Sequence, residues 1–281
     1  MTPPVDKASR YLDQVSHLPP APAVVFELLR LFKDTECGIN RAVELVGRDP
    51  ALTAEVLKLA NSPAFSREHK VEGVFEAVTR IGFCEAYRVV VAISASKVMS
   101  KLIGAAGGFL PGLWRHSVVT AVAAEVIARK VGEEGATSFT AALLRDIGKA
   151  VLATIEGHTF RQILRDAGKC EQSSIQAEVT AFGIDHAELG GKLLERWNVP
   201  PNLVAAARFH HCPAVGEHEK LVAIVHLSNV VAYSTTTGPV PPEFRSGTDS
   251  LPLLKLNSDD LLEVTEETRI AVAKEQGLLS F

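Results

Sequence analysis

Apolar residues recur at spacings of three and four along most of the chain, the period of helices with one buried face. Behind the rigid lead-in Leu18-Pro-Pro-Ala-Pro22, Val25, Leu28, Leu29 and Phe32 form such a stripe, which Gly38 stops. Asn40 is placed to cap a short helix to Val46. Asp49 caps the next, with Pro50 at the first helical position and Leu52, Val56, Leu59 and Ala60 inward. Gly73 to Ile81 turns Val74, Ala77, Val78 and Ile81 inward, and Gly82 ends it. Phe83 to Leu102 reads as a long apolar helix carrying Val90, Val91 and Val98. Gly104 to Gly108 then reads as a flexible joint.

The second half repeats the period. A helix from Leu113 to Val131 buries Val118, Val119, Val122, Val126 and Ile127, with His116 in its first turn and Gly132 as its stop. After the turn Glu133-Glu-Gly135, Leu143, Leu144, Ile147, Val151 and Leu152 predict a helix that carries Arg145 and Asp146. Asp185 and Glu188 resemble a capping box ahead of Leu189, Leu193, Leu194 and Trp197. Pro200-Pro201 opens a helix to His210-His211, and Leu221 to Tyr233 forms a core helix with His226 and Asn229. Ser234 to Pro252 is loop-like, and Ser258 can cap a last helix with Leu261, Leu262, Val264, Ile270 and Val272. No strand-like alternation occurs, so the expected fold is all-α. The expected division is a tail over 1–17, a helical N-terminal half over 18–104, a second helical half over 105–233 packed on it, and a loop with a C-terminal helix over 234–281.

The net charge of -4 and pI near 6.2 give no global basic field, so neither nucleic acid nor an anionic membrane is an expected partner. The richest apolar run, Val89 to Ile93, is too short to span a bilayer, and Met1 to Asp6 has no secretion-signal pattern. Cys37, Cys84, Cys170 and Cys212 are scattered without a Cys-x-x-Cys pair, which suits buried thiols in a reducing cytoplasm.

The candidate chemistry centres on Ala141 to Leu152. Asp146 sits beside a buried stripe, where an unpaired carboxylate is costly and a cation must answer it. This run resembles the signature turn of the HD superfamily of metal phosphohydrolases, in which an adjacent His-Asp pair binds a divalent metal ahead of Ile-Gly-Lys. Four further motifs stand in order: Leu18-Pro-Pro-Ala-Pro22, Asp49-Pro-Ala-Leu-Thr53, Leu59-Ala-Asn-Ser-Pro63 and Ala77-Val-Thr-Arg-Ile-Gly82. Together they resemble the HDOD family, HD-related output domains of bacterial signalling proteins, from about Leu18 to Tyr233. On their capping chemistry alone, Asp49 and Asn61 read as helix punctuation.

The resemblance implies a degenerate HD-type helical domain. His116 matches the first histidine, Asp146 the aspartate of the pair, and Arg145 replaces its histidine. The last aspartate falls at Asn229, while His186, His210 and His211 match further histidines of two-metal relatives. Arginine is always protonated and accepts no hydrogen bond, so Arg145 cannot ligate a metal. No catalysis, metal or cofactor is expected. Three adjacent donors on a helix end, His210-His211-Cys212, point in different directions, and Lys149 reads as a charge at a helix C-terminus. The expected function is a non-catalytic bacterial signal-transduction module that binds a protein partner or a small ligand. The alternatives are a phosphohydrolase of nucleotides or cyclic dinucleotides using His116, Asp146, His186, His210 and His211, and a nucleotide sensor whose Arg145 and Lys149 meet phosphate.

Overall fold

The computed structural model describes residues 7–15, 23–31, 38–63, 65, 69–103, 110–167, 174–214, 218–236 and 250–275. Among them there are helices, turns and loops and no strand, as the apolar period predicts. The chain divides into two compact units, with the division between Lys97 and Val98, inside one helix. The proline lead-in and the Gly104–Gly108 joint lie outside the described residues.

Helix α1 (Lys7–Gln14) falls where the sequence suggests a tail. It belongs to the second unit, and its Ala8 and Leu12 are buried. Eight residues with two apolar contacts give too weak a period to read. The first unit holds α2 (Ala23–Leu31), α3 (Gly38–Gly47), α4 (Pro50–Ala60), α5 (Val74–Ile81) and most of α6 (Phe83–Ile103). Asp49 accepts from the amides of Ala51 and Leu52 at 2.8 and 3.3 Å, the cap its sequence predicts. Asn61 does more than punctuate. Its amide donates to the Leu57 and Val71 carbonyls and accepts from the Val71 N–H, which fixes the loop after α4.

The second unit continues with α7 (Leu110–Lys130), α8 (Gly135–Leu144), α9 (Ile147–Ile155), α10 (Gly157–Ala167), α11 (Ser174–Phe182) and α12 (His186–Arg196). It ends with α13 (Pro201–Phe209), α14 (Glu219–Thr235), α15 (Ser250–Leu254) and α16 (Ser258–Lys274). α7 packs on α8, α14 and α16, and α12 packs on α9, α13 and α1. α14 is buried on every side from Val222 to Ala232, which draws His226 and Asn229 into the core. α15 begins in the last three residues of the stretch that reads as loop and runs two residues beyond it, and the cap of α16 is Asn257, not Ser258. Asn257 accepts from the amides of Asp259 and Asp260, and the Asp260 carboxylate accepts from the Asn257 N–H. Cys84 and Cys212 are exposed, not buried, while Cys37 and Cys170 lie outside the described residues. No helix among the described residues is long and apolar enough to cross a membrane.

Candidate functional site

The helix predicted through Arg145 and Asp146 is broken at those two residues. Arg145 ends α8 in the αR region, and Asp146, at φ -93° and ψ 14°, precedes α9. In a continuous helix, neighbours point about 100° apart. The break lets both side chains reach one place, and the Arg145 guanidinium lies 3.0 Å from Asp146 Oδ2.

Glycine sets how near α12 comes. A Cβ on Gly148 would lie 2.0 Å from the His186 carbonyl oxygen and 2.7 Å from the Gly190 nitrogen. Only hydrogen on both residues allows the two backbones to touch. This contact brings His186, in the first turn of α12, to within 3.2 Å of Asp146 Oδ1 through Nε2. Lys149 is in the first turn of α9, not at a C-terminus, and its Nζ is 2.9 Å from the same oxygen.

The two carboxylate oxygens therefore face different surroundings. On the Oδ2 side, Arg145 also donates to Asn229 Oδ1 at 2.9 Å and to the Ala142 carbonyl at 2.8 Å. His116 Nε2 is 2.7 Å from the same Asn229 oxygen, so the neutral Nε2–H tautomer donates there. On the Oδ1 side lie Lys149, His186 and, at 3.6 Å, His210 Nε2. His211 Nε2 is 3.1 Å from His186 Nε2. All eight residues singled out in the sequence thus join one network. His210 and His211 are adjacent yet converge on His186, because His210 ends α13 and His211 lies in the turn after it.

The HDOD domain model matches residues 18–213, well over half of the chain. The chain belongs to the HDOD family. An HDOD domain protein of unknown function from Geobacter sulfurreducens shares its fold, with a TM-score of 0.73 and 24% identity over 95% of this chain and 96% of that one. A Marinobacter aquaeolei VT8 structure, provisionally named a signal transduction protein, gives a TM-score of 0.78 at 20% identity, covering 98% of this chain and 64% of that one. An uncharacterized protein of Treponema pallidum (strain Nichols) is 24% identical over 265 residues, 93% of this chain and 50% of its own length. The HDOD chain thus spans about half the length of the curated relative it matches.

One member of this HDOD site escapes the sequence reading. Glu178 on α11 is fully buried and accepts from the His186 backbone N–H at 2.8 Å and from Nδ1 at 2.7 Å. Ser174, Glu178 and Phe182 are spaced by four along α11, and all three are buried. A glutamate in the middle of such a stripe needs a partner.

Formal charge balances inside the network: Asp146 and Glu178 against Arg145 and Lys149. Burial alone would raise the Asp146 pKa, but Arg145, Lys149 and contacts to His186 and His210 hold it well below the usual range. Burial likewise raises the Glu178 pKa, but His186 and Lys149 together hold it below the usual range. Burial lowers the His186 pKa, yet Glu178 and Asp146 leave it raised overall. Burial, then Arg145, pushes His116 down to about 3, and burial pushes His210 down to about 4. His211 also falls well below its usual value through burial and the neighbouring His210.

These directions predict acid lability of the metal-free protein. His116, His210 and His211 stay neutral when folded but take up protons when unfolded below about pH 6.5, so stability falls with pH. Each contributes on the order of 1 kcal/mol per pH unit between its folded and unfolded values. The depressed carboxylates of Asp146 and Glu178 add a further loss below about pH 4. His186 acts in the opposite sense: its contribution is full below about pH 6.5 and is lost as pH rises through its folded value. Urea midpoints in EDTA should drop steadily from pH 7 to 5; a flat profile would mean that the imidazoles are solvated.

Proposed function

We propose that this HDOD chain is a non-catalytic regulatory module that binds a protein partner or a small ligand. The observation that carries the reading is the guanidinium of Arg145 between Asp146 Oδ2 and Asn229 Oδ1. A permanent cation that accepts nothing stands where the HD resemblance puts a ligating histidine, and an amide stands where it puts the last carboxylate. Arg145, Asp146, His186 and His210 are at most 1% exposed, so a phosphoryl substrate cannot reach them without opening the core. The provisional name of the Marinobacter structure points the same way.

Purified protein should show no turnover of phosphomonoesters, nucleotides or cyclic dinucleotides, with or without manganese or ferrous iron, beyond that of Asp146→Asn. Hydrolysis that is present in the parent and absent from a folded Asp146→Asn variant would establish an enzyme instead. Thermal-shift screening with the same nucleotides separates the two kinds of partner, since a ligand that binds the folded state raises the melting temperature.

A further inference from the structure

We propose that the cleft where α8, α13 and α14 begin receives an arginine side chain from a partner polypeptide. The cleft has a volume of about 670 Å³, inside the usual range of ligand pockets, about 300–1,000 Å³. The opening residues of all three helices line it: Glu134 and Ser138 for α8, Asn202 for α13, and Glu219 to Leu221 for α14. None of the eight residues of the Asp146 network does.

The cleft carries more negative charge than its own cations answer. Lys220 Nζ lies 2.8 Å from Glu133 Oε1, and Glu134 and Glu219 pair with no cation among the described residues. Each helix N-terminus returns about half a positive charge, so three of them do not cancel two carboxylates. Acidic groups at helix starts are ordinary partners of the helix dipole, but Ser138 is not explained in that way. It lines the cleft at 1% exposure, and its hydroxyl has no hydrogen-bond partner among the described residues. Serine and threonine hydroxyls inside helices commonly turn back to the carbonyl four residues earlier. Thr140 on the same helix does so, to Ala136 at 2.9 Å. Ser138 does not, and the Asn202 side-chain amide makes no hydrogen bond among the described residues either.

Two carboxylates, a hydroxyl and an amide oxygen all accept hydrogen bonds, and a guanidinium carries five donors and no acceptor. Acceptors spread over three helices suit its planar fork better than a compact ammonium. Leu221 and Ile224 give the methylene stem an apolar wall. The helix ends point to a polypeptide rather than a free cation. Neither Glu134 nor His218, the N-caps of α8 and α14, makes a side-chain cap bond. The first-turn amides therefore need other acceptors, which backbone carbonyls beside the arginine supply. The assignment rests on the reading of this HDOD chain as a partner-binding module and names the chemistry of the partner.

The test is an NMR titration of the full-length protein with an acetylated, amidated Gly-Ser-Gly-Arg-Gly-Ser-Gly peptide. Saturable shifts should appear at the amides of Thr137, Ser138, Glu219 and Leu221, and added salt should weaken them. The same peptide with lysine in place of arginine should bind more weakly. Glu134 and Glu219 are exposed, so a Glu134→Gln/Glu219→Gln variant should melt with the parent and lose affinity roughly tenfold. Absence of saturable shifts overturns the proposal, as does undiminished binding by the double variant. Free arginine binding as tightly as the peptide overturns the polypeptide as its source. Phosphoester turnover is read on the same samples: Asp146-dependent hydrolysis would refute the regulatory reading whatever the cleft binds, whereas a failed titration without turnover removes the cleft assignment alone.

Discussion

Arg145→Ala should cost about 3–5 kcal/mol of the second unit's stability, the range for breaking a buried ion pair from one side. Arg145 is 0% exposed and Asp146 1%, so solvent does not screen their pair. Truncation removes the cation from Asp146 Oδ2, a donor from Asn229 Oδ1 and another from the Ala142 carbonyl. It also leaves a void the size of a guanidinium and its stem. Arg145→Lys should lose an intermediate amount, because a lysine cannot fork between the Asn229 and Ala142 oxygens. Urea unfolding followed by tryptophan fluorescence reads this directly: the chain's two tryptophans, Trp114 and Trp197, both belong to the second unit. If Arg145→Ala unfolds with the parent's midpoint and slope, the guanidinium is not holding Asp146 and the account of the site fails.

Gly148→Ala should be comparably severe for a different reason. Its φ is not in the left-handed region, so the backbone would accept alanine. The obstacle is the methyl itself, placed 2.0 Å from the His186 carbonyl oxygen and 2.7 Å from the Gly190 nitrogen. Both are main-chain atoms of α12 and cannot rotate aside, so α9 and α12 must move apart. Overpacking in a core costs about 1–3 kcal/mol where side chains can adjust, and here the loss should reach or pass the upper end. Gly190→Ala, whose Cβ would meet the Gly148 nitrogen at 3.1 Å, should cost less. A crystal structure of Gly148→Ala should show Asp146 and His186 drawn apart. An unchanged α9–α12 spacing with parental stability would refute the steric account.

The long apolar stripes made most of the fold legible. α7 and α14 emerge at nearly their full length because their buried positions repeat over four or more turns. Short or mostly polar elements did not. α1, α10 and α11 carry too few inward residues for a period to stand out. Motif order points to eight residues that lie in contact with one another in a single buried network. The geometry of that network was not legible. Periodicity continues smoothly across Leu144 and Ile147 and hides the break that turns Arg145 onto Asp146. Adjacency in sequence likewise argued against His210 and His211 sharing a centre, and the turn at the end of α13 removes that objection. Glu178 lies eight residues before His186, across a loop, where no local pattern links them.

Helix α1 has a mechanical consequence. It rests on α9 and α12, its Tyr11 hydroxyl donates to the Phe182 carbonyl, and Arg196 at the end of α12 pairs with its Asp13. Those contacts reach the three helices that supply Asp146, His186 and Glu178. A pull or a steric push on this short lever would bear on the carboxylate cluster without touching it, and detaching the lever would slacken the cluster from outside.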